Sequence, residues 1–191
     1  MDIRIKEAIR YLGYGNHAVD ENTYLLIQEC MEELEQIAKP KCVYRIFDFI
    51  DPEDEMVEIG VMRIPSKHLK RNLRGCNHVA LMGATLGIEV DNRMRKYEVI
   101  NIAKAVVFQA CAAACLEAYC DKMQEEISIG VTSKPRFSPG YGDFSILFQQ
   151  QILEILDAPK RIGLSMTDGH MLIPTKSVTA VIGLYQTKEE K

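Results

Sequence analysis

Six consecutive residues carry chemistry that their types and spacing could support. Arg136–Phe137–Ser138–Pro139–Gly140–Tyr141 sets a guanidinium, a Pro-Gly pair and a phenol ring side by side. A guanidinium is a planar fork that holds a carboxylate by two parallel charge-assisted hydrogen bonds. Pro139 and Gly140 suit the central positions of a type II turn, where glycine supplies the positive φ. Such a turn leaves backbone groups free for the edge of a base, and Tyr141 could stack on a flat ring or sit against a cation. From spacing alone, an ordinary loop with a surface arginine accounts for these residues equally well. Glu117 adds weight because it is the first carboxylate after a long apolar run. Burying its charge is costly unless a partner neutralises it, and a ligand ammonium or a pair of ribose hydroxyls would serve. Periodicity by itself favours the simpler view that Glu117 emerges into solvent beside Asp121.

Other signatures fail on their own residues. Gly83–Ala84–Thr85–Leu86–Gly87 is bounded by glycines but lacks the lysine of a phosphate loop, so a strand-to-helix turn is expected. Asp168–Gly169–His170 begins like the D-x-H-x-x-G signature of corrinoid-binding modules, yet position 173 is Ile, which leaves a hairpin turn. His17, His68, His78 and His170 share no metal-ligand spacing. Cys76 and His78 would point the same way on a strand, where ordinary packing is the better reading than a thiolate–histidine pair. No metal ligand set and no catalytic residue is expected.

The elements that must position these residues follow from the pattern. The 191 residues, 47% hydrophobic and 26% charged, are enough for one domain with a real core. The balance of 23 basic against 27 acidic residues leaves no basic stripe for nucleic acid. Lys67, His68, Lys70, Arg71 and Arg74 share one short helix and read as a solvated face. No uninterrupted apolar run reaches the roughly 20 residues that span a bilayer, and the charged N-terminus does not read as a signal peptide, so a cytoplasmic setting with reduced cysteines is expected.

Helices are predicted at 4–12, 22–38, 67–74 and 144–156, with a helical N-terminal part over 1–40. Strands are predicted at 42–50, closed by the Asp51–Pro52–Glu53–Asp54 turn, and at 56–62 and 76–87, with two more after residue 161 and a frayed KEEK tail. The longest element is a helix over about 89–126, small and apolar on nearly every face, which belongs at the centre of the fold. Helices and strands do not alternate strictly. The expectation is therefore α+β, a mostly antiparallel twisted sheet packed with helices, in a single domain over 1–191.

Residues 136–141 match the R-x-x-x-G-Y motif of the activation domain of cobalamin-dependent methionine synthase, which binds S-adenosylmethionine. Upstream, CLEAYCDKMQEEI resembles that domain's helix bearing a ligand-binding glutamate, and Glu117 falls on it. Downstream, SMTDGHMLIPTKSVTA resembles its T-E-x-x-x-M-x-P-x-x-S-V-S stretch, and GATLGIEVDNRMRKY looks like the segment leading into the long helix. The resemblance covers roughly residues 76–185. It implies that Arg136 binds the methionine carboxylate and that Glu117 engages the ammonium or ribose. Tyr141 would pack against the ligand, with the backbone of Ser138, Pro139 and Gly140 near the adenine.

The resemblance also implies a role. The domain holds S-adenosylmethionine over a corrin while an electron donor, commonly flavodoxin, reduces the cobalt, and the methyl group then passes from sulfur to metal. No cobalamin-, homocysteine- or folate-binding stretch is recognisable in these 191 residues. Cobalamin is therefore expected only through a partner, a corrinoid-binding methionine synthase lacking this domain, with a flavodoxin-like electron donor. Three departures stand out: Gly142–Asp143–Phe144 replaces the family's P-A-C-P, Arg10 falls where a ligand aspartate is expected, and the family's C-terminal tyrosines have no counterpart. The last two favour the alternative, a non-catalytic docking or regulatory protein for a corrinoid protein or flavodoxin that has lost tight ligand binding.

Overall fold

The computed structural model describes residues 3–15, 19–51 and 55–186. Among these, the chain order is α1 (Ile3–Tyr11), α2 (Glu21–Ile37), β1 (Lys41–Asp48), β2 (Met56–Ile59), β3 (Met62–Pro65), α3 (Lys67–Leu73), β4 (His78–Thr85), α4 (Ile88–Ile100), α5 (Ile102–Ile127), β5 (Thr132–Ser133), α6 (Phe148–Ile155), α7 (Ala158–Ile162), β6 (Ser165–Met166), β7 (Leu172–Ile173) and β8 (Ser177–Tyr185). The α+β expectation holds. The main sheet runs β1-β4-β8-β5 with every neighbouring pair antiparallel. The turn expected at 51–54 and the KEEK tail lie largely or wholly outside the described residues.

The two central strands are covered on both faces, which is why their sequences are apolar throughout rather than alternating. Ala80, Met82 and Ala84 of β4 and Ala180, Ile182 and Leu184 of β8 join a core with α1, α2, α4 and α5. The alternate residues Val79, Leu81 and Val181 join a second core built from the β2–β3 hairpin, α3, α6 and α7. Small alanines on the first face let α5 lie close against the sheet. Gly83 and Gly183 serve the second face, where a Cβ on Gly183 would fall 2.5 Å from the Cys76 sulfur.

The single helix expected over 89–126 is two helices. Asn101 breaks it, with an extended backbone of φ −160° and ψ 90°. Its N–H closes α4 by donating to the Tyr97 carbonyl at 2.8 Å, and its side-chain oxygen opens α5 by accepting from the Lys104 N–H at 3.0 Å. Asparagine competes for backbone groups in this way, and it outweighs the helical pattern on either side. The apolar part is all in α5, whose Phe108, Cys111, Ala112 and Leu116 are buried. By length and composition α5 could cross a membrane, with a mean hydropathy of 1.4 over 18 residues, but here its apolar face packs on the sheet and on α1, α2 and α4. Glu33 of α2 ties the helical layer together, accepting from the Tyr97 hydroxyl at 2.6 Å and pairing with Arg93.

Smaller differences have local causes. The 56–62 strand is a hairpin of two short strands, turned at Gly60. The helix expected at 144–156 starts later, at Phe148, after a turn at Ser145–Leu147. Asp157, at φ 49°, separates it from α7, so Ala158–Pro159 opens a helix rather than only ending one. Asp168–His170 is a hairpin turn between β6 and β7, and β8 follows as a third strand. Cys76 precedes β4 instead of lying on it. It is buried while His78 is half exposed beside Asp48, so the two form no pair.

Because Asn101 caps one helix and opens the next, Asn101→Ala is expected to cost about 1 kcal/mol of stability. Urea unfolding of the variant, compared with the wild type at equal slope, measures it.

Candidate functional site

The site lies where the end of α5, the open edge of β8 and the loop after β5 meet. From Thr132 to Phe137 the chain runs antiparallel along β8. Lys134 N–H donates to the Gly183 carbonyl at 2.8 Å, and Phe137 and Val181 exchange two bonds of 2.9 and 2.8 Å. At Ser138 it turns away. Tyr141 N–H donates to the Ser138 carbonyl at 3.2 Å around Pro139 and Gly140, and Gly140 has φ +94°, which is the expected type II turn. Because this lane stops at Val181, the remainder of β8's edge, including Thr179 and Ser177, lines a cleft of about 560 Å³.

Glu117, Asp121 and Gln124 lie at i, i+4 and i+7 on α5 and so share one face. All three reach Arg136. Its Nη2 donates to Glu117 Oε2 at 2.8 Å, and Nη1 lies 2.8 Å from Asp121 Oδ1 and donates to Gln124 Oε1 at 3.0 Å. The arginine is the sheltered member, 18% exposed against 47% for Glu117 and 67% for Asp121. Burial works against its charge, but the hydrogen bond it donates to Asp121 and the neighbouring carboxylates outweigh that, and the guanidinium is held above its ordinary value. Gln124 also donates to Ser133 Oγ at 2.9 Å and to the Lys134 carbonyl at 3.0 Å, bracing the loop that carries Arg136.

The far side of the loop is fixed from a distance. Asp143 accepts from Ser66 Oγ at 2.5 Å, from Lys67 N–H at 2.8 Å and from His68 N–H at 3.2 Å. It thereby caps the first turn of α3, together with the N-cap Ser66. At Gly142 the chain comes so close that a Cβ would stand 2.2 Å from His68 Nδ1, and its φ is +56°. A side chain there would have to displace the His68 ring and hold a left-handed backbone that favours glycine. Inward, Phe137 stacks on Phe144 at 6.3 Å between ring centroids, and Phe144 meets Phe148 at 5.8 Å, which anchors the turn to the second core.

Of the residues predicted from sequence, Glu117, Arg136, Ser138, Pro139 and Tyr141 all line the cleft, and Tyr141 stands 66% exposed at its rim. Gly140 does not line it; it supplies the turn. Arg10 is elsewhere, bonded to Glu7 at 2.6 and 2.8 Å and lying over the Tyr11 ring. The end of α1 packs on α5, and there burial first and then the Glu117 carboxylate raise the Tyr11 phenol. The sequence reading missed Gln124, Gln149 and Thr179, and treated Asp121 as a solvated neighbour. The i, i+4, i+7 spacing from Glu117 could have found two of them. Among the described residues no group of three or more His, Cys, Asp or Glu side chains is arranged to hold a metal ion.

No family model matches the sequence, and neither does any curated protein. Among solved structures, the fold is similar to that of the MetH reactivation domain, crystallised bound to AdoHcy. The TM-score is 0.65 at 15% identity, covering 99% of this chain and 76% of that one. The expected resemblance is therefore shown as a likeness of fold.

The Asp143 cap has a defined pH dependence. Ser66, first, and then the two backbone N–H groups hold its carboxyl below the ordinary value of 3.8. Its stabilisation is fully present above that ordinary value and is lost as the pH falls through the lower folded-state one. The difference in urea midpoint between wild type and Asp143→Asn is expected to shrink as the pH falls below about 4.

Proposed function

We propose that the cleft binds S-adenosylmethionine and presents its methyl group to the cobalt of a corrinoid protein, making this chain a reactivation module for reductive remethylation. The observation that carries this reading is the convergence of Arg136 with Glu117 and Asp121 in one cleft beside the Ser138–Tyr141 turn. Together they form a sheltered cation flanked by two more exposed carboxylates, which complements the zwitterionic end of an amino acid. The ligand carboxylate takes the guanidinium fork, and Glu117 and Asp121 receive its ammonium. The turn backbone of Ser138, Pro139 and Gly140 serves the adenine, and Tyr141 closes over it from the rim. The likeness to a domain crystallised with AdoHcy supports the same ligand class.

The chain's contribution is positioning. A sulfonium that loses its methyl group leaves as a neutral thioether, so no proton donor is needed. The cobalt belongs to the partner, a corrinoid methionine synthase without its own activation domain, and a flavodoxin-like protein in the cytoplasm supplies the electron.

A second reading rests on the same arginine. Arg136 is already met by Glu117, Asp121 and Gln124, as a site that needs no ligand would be. On this reading the chain docks on a corrinoid protein or flavodoxin and regulates it.

Isothermal calorimetry with S-adenosylmethionine separates the two. Saturable binding is expected, weakened about 10- to 100-fold in Arg136→Ala and less in Arg136→Lys. Absent binding, together with association with the corrinoid partner that ignores the ligand, would replace reactivation with docking.

A further inference from the structure

We infer that Gln149 reads the nucleoside part of the ligand, its side-chain oxygen accepting a hydrogen bond from a neutral donor, an exocyclic amine or a ribose hydroxyl. This deepens the proposed binding function and rests on it. Gln149 lies in the first turn of α6, is 5% exposed, and lines the cleft. Its amide nitrogen donates to the His170 carbonyl at 2.8 Å and contacts the Met166 sulfur at 3.8 Å. Two carbonyl oxygens facing each other would repel, so this bond fixes which end of the amide is which. The oxygen is thereby turned toward Thr179, itself 1% exposed and also lining the cleft.

That oxygen is poorly served. Its protein partner is the Thr179 hydroxyl at 3.4 Å, well beyond the usual 2.5–3.0 Å for O–H···O. An amide oxygen has two acceptor sites, and buried polar groups are ordinarily satisfied. A structural role explains the nitrogen, which holds His170 at φ 62° in the β6–β7 turn. It does not explain a sheltered acceptor left with one long contact at the wall of a cleft. The charged groups lie on α5 and the loop, whereas Gln149 and Thr179 form an uncharged polar patch with Leu172 beside it. The amino-acid end of a ligand satisfies the former, and a nucleoside donor satisfies the latter. A site built to bond a donor discriminates strongly against an analogue that lacks it.

The test measures affinities of the full chain for S-adenosylmethionine and for three analogues: N6,N6-dimethyladenine, 2′-deoxyribose and 3′-deoxyribose forms. In the wild type one analogue is expected to bind about 10- to 100-fold more weakly than the parent, identifying amine or hydroxyl as the donor. In Gln149→Leu that gap is expected to collapse to about threefold or less. Gln149→Met keeps the length of the side chain but offers no acceptor oxygen to the cleft, and it is expected to collapse the gap likewise. Thermal melting shows whether each variant is folded. If Gln149→Leu does not fold, the wild-type series and the Met variant decide. A gap that persists in the Leu variant, or equal binding of all four ligands to the wild type, overturns the role of Gln149 while leaving the binding function standing. Failure of the wild type to bind any of the four overturns both.

Discussion

A guanidinium sheltered from water must be neutralised, and Arg136 meets that requirement through one face of one helix. Glu117, Asp121 and Gln124 are separated by the turns of α5, and the loop after β5 has to come to them. Once it does, the end of α5, the edge of β8 and the Ser138–Tyr141 turn are fixed relative to one another, and the cleft is what remains between them. The same charges that close the site make it complementary to a zwitterion. Accepting one is an exchange of partners, carboxylate for carboxylate.

The sheet makes this arrangement possible. β4 and β8 are buried on both faces, and α5 lies on one of them because Ala80, Ala84 and Ala180 leave room. The second face carries the loop's other supports, the Phe137–Phe144–Phe148 aromatics and α3. The cleft therefore draws on both cores, with carboxylates from the helical layer and Gln149 from the opposite one.

Much of this was legible in the sequence. Arg136 stood out by its place beside a Pro-Gly pair and an aromatic ring, Glu117 as the first carboxylate after a long apolar run, and Pro139–Gly140 specified its turn by φ. The antiparallel α+β class followed from the order of patterns. Other features were not legible, because they depend on residues distant in the chain. Asp143 is an unremarkable loop aspartate until it meets Ser66, 77 positions earlier. Gln149 reads as one of three glutamines at a helix start, and only its burial against Thr179 and His170 distinguishes it. Asn101 lost to the helical periodicity on either side, since a single side-chain cap carries no weight in a pattern count.

The tie between Asp143 and α3 has a dynamic consequence. The loop at the rim of the cleft is held by the first turn of a seven-residue helix as well as by its own turn bonds. Short helices open locally at low free-energy cost, and elements joined by shared backbone bonds open as a unit. The Asp143 side chain thereby couples the opening of the loop at 142–144 to that of the start of α3. A helix that does not line the cleft thus bears on the loop that forms part of its wall.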